Sequence, residues 1–261
     1  MKKYFVIGNP IEHSLSPKLH NYWIKENNID AVYDKKQLNE NDIEGVISEI
    51  KNDKIHGINV TVPFKMSVIP FLDQLTPLAK ETQSVNTIFK KDNKIVGDNT
   101  DVGGFEKGLK YINYNLKKKN VFILGAGGVV SSIILALKRL GAAKIILSNR
   151  TKKKADNLKK RYMDLEIIDW GKIPDFDMII NATSLGLKND DQIKLNYAEI
   201  GTNKLFYDII YNPSKTKFLS KAKQFGNQIE NGKMMFIYQA QLAFRIWHNI
   251  LPKIDNKLLD L

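Results

Sequence analysis

Val121-Phe122-Ile123-Leu124, then Gly125-Ala126-Gly127-Gly128, then the apolar run from Val129 to Leu140 decide the fold. The first four residues read as a buried strand, the glycines as a tight turn, and the run after them as a helix. In that context a glycine-rich turn is a dinucleotide-binding signature. Gly125 permits the turn, and Gly127 lets the backbone approach a pyrophosphate. The anion then rests on free N–H groups at the helix N-terminus. The third glycine of the pattern is replaced by Val130. A turn of this kind without a ligand reads the same on its own; the strand that follows, Lys144 to Ser148, favours the nucleotide reading.

That next strand ends in Ser148-Asn149-Arg150-Thr151, where NAD-preferring folds carry a carboxylate for the ribose hydroxyls. A guanidinium there offers a planar fork to a 2′-phosphate, and no carboxylate repels it. Lys154 lies one turn further on and adds charge. The alternative is a surface arginine at a strand end. We favour NADP, with Asn149, Arg150, Thr151 and Lys154 around its phosphate.

Working outward, Lys3 to Gly8 reads as a buried strand. Ser16-Pro17 opens a helix, with the serine as N-cap and the proline in the first turn. Further elements are a strand from Ala31 to Lys36, a helix from Asn41 to Lys51 and a strand from Ile55 to Val60. This alternation predicts a mostly parallel α/β layer up to about Gly97. Asp101 opens a helix to about Ile112, in or before which the chain changes domain. Asp177 to Asn181 and Leu205 to Ile209 add strands to the nucleotide unit, and Met234 to Ile250 is a long amphipathic helix expected to pack back on the first domain.

With 261 residues, 43% hydrophobic and 26% charged, the composition is that of a soluble globular protein. No run approaches the ~18 apolar residues of a membrane span. The start, Met1 to Pro10, reads as a first strand and not as a signal peptide. Cysteine is absent, which excludes thiolate chemistry and favours a cytoplasmic setting. His13, His20, His56 and His248 show no metal-ligand spacing, so no metal is expected. Trp23, Trp170 and Trp247 read as packing residues. The net charge of +12 reads as a lysine-rich solvated surface. Lys117-Lys118-Lys119 and Lys152-Lys153-Lys154 lack interleaved aromatics, so neither nucleic acid nor membrane is an expected partner.

Upstream of the glycine turn stand Asn59-Val60-Thr61-Val62-Pro63-Phe64-Lys65 and Asp98-Asn99-Thr100-Asp101. Short polar groups with one lysine and one aspartate suit hydride transfer on a small polyhydroxylated acid. Taken singly, Lys65 reads as a surface lysine and Asp101 as a helix cap. Taken in this order with Gly8 to Pro17, Val85-Asn86-Thr87, Asn181-Ala182-Thr183-Ser184, Tyr207 to Pro213 and Gln239, the chain resembles shikimate dehydrogenase over essentially its whole length.

The resemblance implies reduction of 3-dehydroshikimate to shikimate with NADPH, in aromatic amino-acid biosynthesis. Lys65 and Asp101 would be the catalytic pair. Ser14 and Ser16 would hold the substrate carboxylate. Asn59, Thr61, Asn86, Asp101 and Gln239 would bind its hydroxyls, and Tyr211 would sit where substrate and nicotinamide meet. Gly125, Ala126, Gly127, Gly128, Thr183, Ile209 and Gly232 would join the phosphate residues in holding the cofactor. The implied fold is α/β. A substrate domain over 1–101, completed by 238–261, is joined to a Rossmann-type domain over 102–237. A small-molecule substrate and a monomer or homodimer are expected. A quinate/shikimate enzyme using NAD and a non-catalytic binding homologue are the alternatives; Arg150 speaks against the first, Lys65 and Asp101 against the second. Val102, Ser131, Lys217 and Met234 stand where the family usually has glycine, arginine, proline and glycine.

Overall fold

In the computed structural model, which describes residues 1–188 and 191–259, the chain divides into two units. The first comprises Met1–Gly104 and Ile237–Leu261, the second Phe105–Phe236.

In the first unit the elements run β1 (Lys2–Gly8), α1 (Ser16–Glu26), β2 (Ala31–Gln37), α2 (Ile43–Lys51) and β3 (Gly57–Val60). They continue with β4 (Gln74–Leu75), α3 (Pro77–Thr82), β5 (Thr87–Lys91) and β6 (Lys94–Asp98), and then α4 (Asp101–Tyr111), within which the chain enters the second unit. The sheet order is β2-β1-β3-β5-β6-β4. Its first three strands are parallel, as the alternation predicts. β4 is parallel to β6, so the sheet is mostly parallel as expected, and the exception is β5, which is antiparallel to both β3 and β6. The cause is local. Asp92 and Asn93, with φ of 50° and 58°, form a two-residue turn with both residues left-handed, which returns the chain as a hairpin. Ile7, Val46, Ile58, Val60 and Ile88 fill the core beneath α2.

Ser16 is not the N-cap of α1. Leu15 occupies that place, with φ −87° and ψ −1°, and Ser16 is the first helical residue. The Ser16 amide is met by the Ser14 hydroxyl, 3.3 Å away. Trp170 is also unlike its expectation: at 39% exposure it faces solvent, whereas Trp23 is buried.

The second unit continues with β7 (Asn120–Leu124), α5 (Val130–Arg139), β8 (Lys144–Ser148), α6 (Lys152–Arg161) and β9 (Glu166–Ile168). After these come β10 (Met178–Asn181), α7 (Tyr197–Ile200), β11 (Leu205–Asp208), α8 (Lys217–Gln224) and β12 (Gln228–Glu230). Helix α9 (Lys233–His248) leads the chain back to the first unit, which ends with α10 (Asn256–Leu259). The sheet order is β12-β11-β10-β7-β8-β9, parallel throughout. Counted from β7, that is 3-2-1-4-5-6, the Rossmann order, with the reversal between β7 and β10. Phe122, Ile146, Ile179 and Phe206 pack its interior. No helix among the described residues is long and apolar enough to cross a membrane.

Candidate active site

Within the first unit, the end of β3 delivers Asn59 and Thr61, and the turn after it delivers Lys65. Thr61 N donates to Ile7 O at 2.9 Å, while Val85 N donates to Lys65 O at 2.8 Å, so the turn is tied to its neighbours at both ends. The Lys65 ammonium lies 2.5 Å from Asp101 Oδ2, with the two side chains only 11% and 6% exposed. Asp101 is the first residue of α4 but does not cap it. Asn99 Oδ1 accepts the Val102 amide at 3.2 Å, which leaves the aspartate side chain to face Lys65. A buried ion pair of this kind requires further hydrogen bonds to offset desolvation. Asn86 supplies one, donating through Nδ2 to Asp101 Oδ1 at 3.0 Å.

Asn86 is the hub of this cluster. Its Nδ2 also faces Thr100 Oγ1 at 2.8 Å and Gln239 Oε1 at 3.3 Å, and its Oδ1 accepts the Thr100 amide at 2.7 Å. Lys65, Asn86, Asp101 and Gln239 are thus brought together. Asn59 stands behind them. Its Nδ2 donates to Asn86 O at 3.0 Å and Thr87 Oγ1 at 3.2 Å, and its Oδ1 accepts from the Tyr33 hydroxyl at 2.7 Å. The Asn86 carbonyl can only accept, which fixes the Asn59 amide orientation. Ser14 and Ser16 meet each other at the start of α1. No hydrogen bond joins either of them to the lysine cluster.

Within the second unit, Gly125 has φ of +114°, and a Cβ there would come within 2.6 Å of Ala182 O. A side chain is therefore excluded where β7 turns beside β10. A Cβ at Gly127 would meet open space. Ala126 and Gly128 are half-buried, and the α5 N-terminus carries no side-chain cap among the described residues. Those are the features that an anion-binding turn needs. Thr183 follows β10, its hydroxyl donating to Asn181 Oδ1 at 2.7 Å. Ile209 follows β11, and its carbonyl lies 2.0 Å from where a Gly232 Cβ would stand. Tyr211 stacks on Phe236 with centroids 4.3 Å apart. Met234, in the place of a family glycine, is buried.

At the end of β8, Asn149 Nδ2 donates to Thr151 O at 2.8 Å, folding the turn that exposes Arg150, Thr151 and Lys154. Neither Arg150 nor Lys154 forms an ion pair among the described residues. Two cations outside any ion pair among the described residues, beside a glycine-rich turn, fit a nucleotide with an additional phosphate. No group of three or more acidic or histidine side chains among the described residues is placed to hold a metal ion.

Four residues without an assigned role in the sequence reading emerge here: Tyr33 behind Asn59, Thr100 behind Asn86, and Asn181 with Asp208, joined by a 3.0 Å hydrogen bond at the ends of β10 and β11. Tyr33 and Thr100 carry no local signal, because their partners are distant in sequence.

Residues 6–88 match the family model of the shikimate dehydrogenase substrate binding domain, and residues 107–210 match that of shikimate / quinate 5-dehydrogenase. A shikimate dehydrogenase (NADP(+)) of Pelagibacter ubique is 59% identical over 262 residues, covering 100% of this chain and 99% of the relative. The crystal structure of shikimate dehydrogenase from Aquifex aeolicus superposes with a TM-score of 0.92 at 38% identity, covering 100% of this chain and 96% of that one. The Thermus thermophilus enzyme, solved in complex with NADP(H) and shikimate, gives 0.89 at 30% identity over 97% of this chain and 95% of its own. The chain belongs to the shikimate dehydrogenase family.

Proposed function

We propose that this protein reduces 3-dehydroshikimate to shikimate, reversibly, with NADPH as the reductant. The observation that carries the proposal is the buried Lys65–Asp101 pair, clamped by Asn86 and adjoined by Gln239. NADPH, when bound, supplies a hydride to the ketone carbon. The chain must then supply a proton to the oxygen and hold the substrate. In the pair, Lys65 is the donor and both Asp101 oxygens accept. Lys65 is accordingly the group that gives the proton or stabilises the developing alkoxide, and Asp101 orients it.

In the same reading, Ser14 and Ser16 hold the substrate carboxylate, and Asn59, Thr61, Asn86, Asp101, Tyr211 and Gln239 contact the rest of the ring. Asn59 serves as an acceptor, because both its N–H groups are engaged by Asn86 and Thr87. The Gly125 to Gly128 turn takes the pyrophosphate, Asn149, Arg150, Thr151 and Lys154 the 2′-phosphate, and Thr183, Ile209 and Gly232 the nicotinamide half. A cytoplasmic setting belongs to this reading, supported by the absence of cysteine.

The test is oxidation of shikimate by NADP, followed through the absorbance of the reduced nicotinamide, with quinate and NAD as parallel arms. Turnover with shikimate and NADP is expected. A folded protein that turns over quinate alone, or neither acid, overturns the proposal.

A further inference from the structure

Asp208 ends β11 and is fully buried, yet no cation pairs with it among the described residues. Its carboxylate instead collects three hydrogen bonds. Thr216 Oγ1 donates to Oδ2 at 2.6 Å, and Oδ1 accepts from Ile210 N and from Asn181 Nδ2, each at 3.0 Å. Burial pushes the carboxyl up to about 6, and the three donors oppose that shift. A lone buried carboxylate is a costly way to finish a strand. Each of its donors leads into a loop.

Two donors belong to the segment 209–216 after β11. The third belongs to Asn181, the last residue of β10, whose own amide is saturated. Its Nδ2 also donates to Leu185 O at 3.0 Å, and its Oδ1 accepts from Thr183 N at 3.1 Å and Thr183 Oγ1 at 2.7 Å. One carboxylate therefore fixes the segments after two neighbouring strands. The segments also pack on each other: a Cβ on Gly186 would lie 3.1 Å from Thr216 Cγ2 and 3.3 Å from Ile210 Cδ1. The first segment lies against the glycine turn through Ala182 O and Gly125, and the second against Gly232 through Ile209 O. In an open parallel sheet, ligands bind beyond the carboxyl ends of strands where the order reverses.

We infer that Asp208 is a positioning residue which, through Asn181 and Thr216, presets the loops after β10 and β11 in the shape that receives the dinucleotide. This rests on the cofactor reading above. Asp208 touches no reacting group; its effect passes through the carbonyls and amides of Thr183, Leu185, Ile209 and Ile210.

The experiment compares wild type with Asp208→Ala, Asp208→Asn and Thr216→Val. Site-resolved hydrogen exchange is measured on the ligand-free protein, and NADP affinity by calorimetry. In Asp208→Ala, the amides of Thr183, Leu185 and Ile210 should exchange about tenfold faster or more while those of β7 keep their rates. The NADP Kd should rise about tenfold, while KM for shikimate changes less than about threefold. Asp208→Asn keeps an acceptor for Asn181 and Ile210, and should restore most of the affinity. If loop exchange and NADP Kd stay at wild-type values, or if β7 amides accelerate equally, the inference fails. Should Asp208→Ala not fold, Thr216→Val decides, with the same direction expected and unchanged loop exchange and affinity counting against it. A wild type that binds NADP without oxidising shikimate would remove the proposed reaction and leave this inference standing. Full activity with unaltered NADP affinity in Asp208→Ala would do the reverse.

Discussion

The Lys65 ammonium and the Asp101 carboxylate meet at 2.5 Å in a nearly solvent-free setting, although they stand 36 positions apart in the chain. Neither group is free to drift. The lysine backbone is held by Val85, and the second carboxylate oxygen by Asn86. Under the proposed reaction, an ammonium so restrained would need little reorganisation when charge develops on a substrate oxygen.

Replacing Lys65 with alanine should remove most of the turnover while weakening substrate binding less. General acid catalysis contributes ~10²–10⁴-fold, so kcat should fall within that range. Steady-state kinetics decide the matter: a kcat within about threefold of wild type takes Lys65 out of the mechanism.

Tyr33→Phe removes the hydroxyl that donates to Asn59 Oδ1 at 2.7 Å and leaves the ring in place. A neutral hydrogen bond contributes about 0.5–1.5 kcal/mol, so KM for shikimate should rise about two- to tenfold. KM for NADP should not change. Equal rises in both would show general damage to the protein and not the loss of a support for Asn59.

Arg150→Ala separates the two nicotinamide cofactors. A charge-assisted bond to phosphate is worth ~1.5–3 kcal/mol, which predicts a roughly ten- to hundredfold higher KM for NADP. NAD lacks that phosphate, and its KM should hold. If both values move together, Arg150 is structural, and Lys154, Asn149 and Thr151 are left to recognise the phosphate.

The aromatic cluster around His20 predicts acid sensitivity. Burial, reinforced by His248, lowers the His20 pKa to about 3, and burial, reinforced by Lys2, lowers that of His248 to about 4. Both nitrogens of His20 lack hydrogen-bond partners among the described residues, and its ring stacks on Tyr33 at 4.2 Å. The folded state therefore binds protons less readily than the unfolded state, whose histidines titrate near ~6.5. Stability is complete above that pH and falls as the pH drops from there towards about 3. His20→Phe should flatten part of this slope in urea midpoints measured between about pH 7 and 4. An unaltered slope would mean that other groups govern acid unfolding.

How legible the fold was depended on how local its signals are. The glycine turn announced itself because strand, turn and helix are contiguous and Gly125 needs a backbone few residues tolerate. The strand–helix alternation gives a mostly parallel first sheet but not the reversal at Asp92-Asn93, since nothing in the strands themselves sets their direction. The Ser16-Pro17 pair signalled a helix start correctly but misplaced the cap by one residue, because Leu15 already has helical dihedrals. Residue chemistry alone points to Lys65 and Asp101, whereas Asn86 and Gln239 are nameable only through family likeness. Asn86 and Gln239 lie 153 positions apart, and no spacing rule joins them. Asn181 and Asp208 both lie in stretches that carry the family likeness, but they stand 27 positions apart and nothing local to either announces the hydrogen bond they share.

The interruption of the first unit by the second has a consequence for the order in which the protein can be assembled during synthesis. The segment Phe105–Phe236 is continuous, so all six strands of its sheet have been made before the chain passes residue 236. The first unit must wait. Gln239 reaches Asn86, Trp247 Nε1 donates to Ile88 O at 3.3 Å, and Trp23 Nε1 donates to Lys253 O at 2.9 Å. Each of these bonds joins a residue made before the second unit to one made after it. The nascent first sheet therefore stands without its closing helix until the chain has been made through His248, and the Asn86 cluster gains Gln239 only after the whole second unit.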